Sequence, residues 1–175
     1  MLTGEEMDLP LEDIEQLRFA GLLHDVGMTG VTEEILLRPV PLTQDELERV
    51  RMHAELGATV VEQIEFLKNI TPVVLHHHER WDGSGFPVGL AGEAIPLLAR
   101  ILAVADAFDL MTTGTQRQAR MSFATARVEL EAKSGSQFDP QVSAALLRAL
   151  DRQALVGASG LFAPVSSKGR RDLPA

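Results

Sequence analysis

The chain has 175 residues, 45% hydrophobic and 23% charged, enough for one well-buried core and short for two ordinary domains. It has no cysteine, which excludes disulfides, thiolate metal sites and a cysteine nucleophile. A net charge of −9 argues against binding a nucleic-acid duplex, so an anionic substrate would need metals or a few local arginines to attract it.

Residues 1–9 carry no clear pattern and are expected to fray. Pro10 opens a helix with Glu12 and Asp13 in its first turn, where the helix dipole favours negative charge. Ile14, Leu17, Gly21 and His24 fall on one stripe, which puts His24 and Asp25 at the inner end of an apolar element. Gly27, Thr29 and Gly30 break that helix, and Glu33 to Leu37 form a short turn. Thr43-Gln44-Asp45-Glu46 has the form of a capping box. The helix after it points Leu47, Val50, Ala54, Gly57 and Val61 inward, with His53 at the edge of that face.

Thr71-Pro72 reads as an N-cap followed by proline at the first helical position. The short helix it starts closes on His76-His77-His78 and turns into a loop of Asp, Gly, Ser and Pro. Ile95-Pro96 starts the most apolar helix, Leu97 to Met111, which should be the central buried one. Asp106 and Asp109 interrupt it one turn apart, and a buried carboxylate needs a partner or a metal. Ser122 caps a helix running to about Lys133, and Asp139-Pro140 opens the last one. A loose tail is expected over residues 157–175, after a single domain over 1–156. No strand pattern occurs, so the expected class is all-α. No basic segment leading an apolar core opens the chain, and no run of 18 apolar residues occurs, so neither export nor membrane insertion is expected.

His24, Asp25, His53, His77, His78 and Asp106 are the metal candidates, each on an inward helix face or at a helix end. Converging imidazoles and carboxylates suit two divalent ions with one carboxylate bridging. Taken singly, three of them have an ordinary alternative. His24 could be a satisfied core histidine, His53 a partly exposed helix residue, and Asp106 a salt-bridge partner of Arg100 or another core arginine. Asp109 is better read as an acceptor that orients a ligand histidine.

The string His24-Asp25-Val26-Gly27, then His53, then His77-His78-Glu79-Arg80-Trp81-Asp82-Gly83-Ser84-Gly85-Phe86-Pro87 resembles the HD-GYP family of metal-dependent phosphohydrolases. Asp106-Ala107-Phe108-Asp109 and Gln137-Phe138-Asp139-Pro140 continue the likeness over roughly residues 10 to 150. The resemblance implies a cytoplasmic HD-domain bundle of about five to seven helices that hydrolyses cyclic di-GMP in bacterial signalling. It implies two divalent ions, iron or manganese first, with zinc, magnesium or nickel as alternatives. One ion would be held by Asp25, His53, His77 and His78, and the other by His24, Asp25 and Asp106, with Asp25 bridging. His24, Asp25 and Asp82 become the catalytic candidates, and Arg80, Gly83, Gly85, Phe86 and Arg117 the substrate-binding ones.

The chain departs from the family at four places. The leading metal ligand on an earlier helix is not contained in it, and Met28 stands where a lysine is usual. Phe86 replaces the tyrosine of the GYP triplet, and Thr115-Gln116-Arg117-Gln118 replaces a string with two phosphate-directed arginines. Two other readings follow from these departures. One is a non-catalytic module that binds a nucleotide or a signalling protein. The other is a phosphohydrolase for a different nucleotide or phosphate ester.

Overall fold

The computed structural model describes residues 1–37, 41–114 and 119–158, the last four by backbone alone. Among the described residues nine α-helices follow in order: α1 Leu2–Glu6, α2 Leu11–Leu23, α3 Glu33–Leu36, α4 Gln44–Arg51, α5 His53–Glu62, α6 Thr71–His76, α7 Leu97–Thr113, α8 Phe123–Ala132 and α9 Pro140–Ala158. Six of them have eight residues or more, the number expected of the bundle, and the other three are single short turns of helix. Short 3₁₀ segments occupy Val26–Gly30, Glu65–Ile70 and Gly92–Ala94. Among the described residues the only β pairing is an isolated bridge between Ser134 and Phe138. No helix among them is long and apolar enough to cross a membrane.

Local signals explain most helix starts. Thr43 and Glu46 form the reciprocal capping box of α4. The Ser122 hydroxyl accepts from the Thr125 amide at the start of α8, and the Asp139 carboxylate accepts from the Gln141 amide ahead of α9. Thr71 departs from expectation. Ile70 takes the capping position, because the 3₁₀ segment before α6 already supplies helical geometry, and the buried Thr71 hydroxyl has no partner. The helix expected to run on from Thr43 breaks at Met52 into α4 and α5. The apolar stripe therefore does not continue through the break, and Leu47 is exposed while Ala54, Gly57 and Val61 are buried.

The first residues are folded, contrary to the expected fraying. Thr3 and Gly4 are buried, and the largely shielded Glu6 carboxylate pairs with Arg148 at 3.1 Å and Arg152 at 2.6 Å on α9. A single carboxylate held by two guanidinium groups has the geometry that makes an ion pair count, unlike an isolated surface contact.

α7 lies between two apolar clusters. Ile101, Val104, Phe108 and Met111 pack with Leu130 of α8 and Val142 and Leu146 of α9. Ala99 and Leu102 pack with Ala20, Val61, Leu67, Val73 and Val74. A helix packed on two sides leaves only a narrow strip to solvent, at Asp109, Leu110 and Thr113, which accounts for its largely apolar sequence. Asp106, partly buried, turns towards His24. The chain after residue 158, including nearly all of the expected tail, and the Thr115–Gln118 string lie outside the described residues.

Candidate metal centre

Two backbone approaches assemble the centre. Gly27 lies so close to α5 that a Cβ there would sit 2.0 Å from the His53 carbonyl oxygen and 2.5 Å from the Gly57 nitrogen. Only glycine on the 3₁₀ segment allows this contact, and it brings the His24-Asp25 corner against α5. α6 also packs against α5, with Val74 beside Gly57, and delivers His77 at its C-terminal end.

Asp25, His53, His77 and His78 each offer a ligand atom, and these atoms lie within 4.8 Å of one another. This is the set that the resemblance assigned to the first ion. Three histidines have their rings fixed by the same device. Nδ1 donates to the carbonyl three residues back: His24 to Gly21 at 2.9 Å, His53 to Val50 at 2.6 Å and His77 to Val74 at 2.6 Å. A carbonyl can only accept, so each Nδ1 carries a proton, and Nε2 is the atom each ring turns towards the site. His53 and His77 are 3% and 1% exposed, so the alternative of a partly exposed helix residue does not hold for His53.

The Asp25 carboxylate spans the site, with one oxygen 3.4 Å from His24 Nε2 and the other 3.5 Å from His53 Nε2. Asp106 approaches His24 Nε2 at 3.6 Å. The expected alternative for Asp106 does not occur, because Arg100 binds Asp139 at 2.6 Å. Asp109 is exposed, and its negative charge adds to burial in raising the Asp106 pKa.

Without an ion, the contact with Asp25 raises His24 to about 9 and lowers Asp25 to about 2. Burial lowers His77 to about 4 and His78 to about 3, so both imidazoles are neutral at pH 7. Nitrogen and carboxylate donors without thiolate suit first-row divalent ions, and the buried lone pairs lack protein protons to meet them. The residues present therefore fit a metal centre.

The loop after His78 is held by a carboxylate that composition and spacing did not single out. Glu79 is buried, and its oxygens accept from the amides of Val88, Gly89 and Leu90 at 2.9–3.2 Å, with His76 Nδ1 at 3.4 Å. The only available signal was its position inside the motif. Gly85 packs on the chain it follows, since a Cβ would lie 2.4 Å from the Arg80 nitrogen, and Gly83 turns with φ of +79°. Phe86 stacks on His78 with centroids 4.8 Å apart.

Asp82, expected as a catalytic group, accepts from Arg80 and Ser84, and these bonds lower its pKa. It does not belong to the four-residue cluster, and its bonds organise the loop. Arg80 is tied to the same loop but also borders a cavity of about 170 Å³ with His77, His78, Asp106, Leu110 and Gln137. Arg117 lies outside the described residues.

Comparison with known proteins agrees with this geometry. The HD domain family matches residues 2–142. The cyclic di-GMP phosphodiesterase response regulator RpfG of Xanthomonas campestris pv. campestris is 37% identical over 169 residues, covering 95% of this chain and 44% of that protein. A cyclic di-GMP phosphodiesterase of Pseudomonas aeruginosa is 39% identical, covering 84% of this chain and 36% of its own length. The 3'3'-cGAMP-specific phosphodiesterase 3 of Vibrio cholerae is 35% identical, covering 86% of this chain and 33% of its own. The crystal structure of a cyclic GMP-AMP specific phosphodiesterase from V. cholerae superposes with a TM-score of 0.69 at 20% identity, over 91% of this chain and 44% of that one. The chain spans less than half the length of each of these relatives. The chain belongs to the HD domain family.

Proposed function

We propose that this domain is a metal-dependent phosphodiesterase acting on a cyclic dinucleotide, with cyclic di-GMP as the substrate. The observation that carries the reading is the convergence of Asp25, His53, His77 and His78 within 4.8 Å, three of them imidazoles, one from α5 and two from the turn after α6. The cyclic dinucleotide phosphodiesterase names of relatives 35–39% identical support the substrate class.

Divalent ions bound here would supply Lewis acidity at a phosphoryl group and a water made nucleophilic near neutral pH. The four clustered residues would hold one ion, and His24 with Asp106 would share Asp25 with a second. The chain's own contribution is preorganisation. Carbonyl acceptors lock the His24, His53 and His77 rings, so their Nε2 atoms point inward before any ligand arrives. Asp25, half exposed at the mouth, joins His24 to His53 through its two oxygens. Phe86 covers one face of His78 and fixes its plane.

The cavity of about 170 Å³ beside His77 and His78 is below the roughly 300 Å³ or more usual for small-molecule sites. A cyclic dinucleotide would place one phosphate there and rest the remainder on the surrounding surface. The test is incubation of metal-loaded protein with cyclic di-GMP, 3'3'-cGAMP and bis(4-nitrophenyl) phosphate. Linearised cyclic di-GMP is the expected product. Turnover of the small ester alone would overturn the dinucleotide assignment, and binding without turnover would point to a non-catalytic module.

A further inference from the structure

An acidic chain that binds an anion must offer cations close to the site, and several of those nearby are already engaged. Arg80 bonds Asp82 and Ser84, Arg100 bonds Asp139, and Lys133 lies 3.8 Å from Glu129. Arg51 is different. It ends α4 two residues before His53, is exposed, and has no carboxylate partner among the described residues. Its guanidinium stands 5.4 Å from the centroid of the Phe86 ring, which itself stacks on His78. The charge is thus one aromatic ring away from a metal-ligand candidate.

We infer that Arg51 is a substrate-recognition residue whose guanidinium binds the phosphate of the cyclic dinucleotide that is not held at the metal centre. This rests on the phosphodiesterase reading above. Guanidinium remains charged at all working pH values, and its planar fork matches two phosphate oxygens. The Phe86 ring restricts where the group can swing, while a cation–π contact at an exposed site is weak enough to be supplemented by a phosphate. The small cavity beside His77 leaves the second half of the substrate on the outer surface, and Arg51 is an exposed cation at the Phe86–His78 stack.

The experiment compares wild type, Arg51→Met and Arg51→Lys, all metal-loaded. Equilibrium affinity for cyclic di-GMP is measured at low and high salt, and KM and kcat for cyclic di-GMP and bis(4-nitrophenyl) phosphate. Arg51→Met should weaken cyclic di-GMP binding on the order of ten- to a hundredfold and flatten its salt dependence. The loss should be larger for cyclic di-GMP than for the ester with one phosphate, and Arg51→Lys should recover part of it. Affinity within about twofold of wild type, or equal losses on both substrates, would overturn the contact. Wild type that binds without turnover would sink the phosphodiesterase reading, while the affinity ratio still decides Arg51. Wild type that does not bind would overturn both.

Discussion

His53 Nε2 and His77 Nε2 face each other across 3.3 Å in the interior, on rings whose Nδ1 protons are both given to carbonyls. Two lone pairs at that separation have no shared proton, and burial resists adding one to His77. A divalent cation resolves the conflict. His77→Ala should therefore cost more than one ligand, because it leaves His53 aimed at an empty space. Metal content after dialysis should fall by at least tenfold relative to wild type, on the order of the loss for removing a supporting partner of a metal ligand. Full retention of metal would show that these imidazoles are not ligands.

Acid stability should reveal the same burial in metal-free protein. His77 and His78 fold with pKa values of about 4 and about 3, below the ordinary 6.5. As pH falls below 6.5 the unfolded chain takes up protons that the folded one refuses, so stability declines from there down to about 3. His24 acts in the other direction. Raised to about 9 by Asp25, it contributes fully below 6.5 and loses its effect as pH rises through 9. These three groups together place a stability maximum near pH 6.5, readable as the urea midpoint in chelator. His78→Gln should shallow the acid side, and a midpoint unchanged between about pH 6.5 and 4 would contradict the burial argument.

Gly27→Ala tests the backbone approach. The added methyl would meet the His53 carbonyl and the Gly57 amide, both parts of a helix that cannot yield locally. We expect destabilisation of about 3 kcal/mol or more by chemical denaturation, together with weaker metal binding as Asp25 and His53 separate. At the exposed Gly21 an added methyl would have nothing within 4 Å, so Gly21→Ala is the matched control and should not destabilise.

Removing the Glu79 carboxylate should loosen a defined stretch of chain. Glu79→Ala strands the Val88, Gly89 and Leu90 amides, at a cost of roughly 1–3 kcal/mol for each group left unsatisfied. Hydrogen exchange at those three amides should accelerate well beyond that of the α7 amides. Equal protection in both proteins would mean that the loop is held by other contacts.

Helices and their starts were legible in the sequence because they depend on neighbours in the chain. The Thr43–Glu46 box, the Ser122 cap and the Asp139-Pro140 start are local hydrogen bonds, and the buried character of Leu97–Thr113 is a matter of composition. The ligand types were legible as well, since imidazole and carboxylate announce their chemistry wherever they stand. Which of them meet was decided by packing. Asp106 stands beside His24 while Asp139 takes Arg100, and Asp25 reaches His53 where Gly27 lets two backbones touch. Residues 2–6 are tied through Glu6 to two arginines more than 140 positions away, and no local pattern could report them. Periodicity and capping act within a few residues, whereas the choice of partner for a buried charge is made by whichever distant side chain the core brings alongside it.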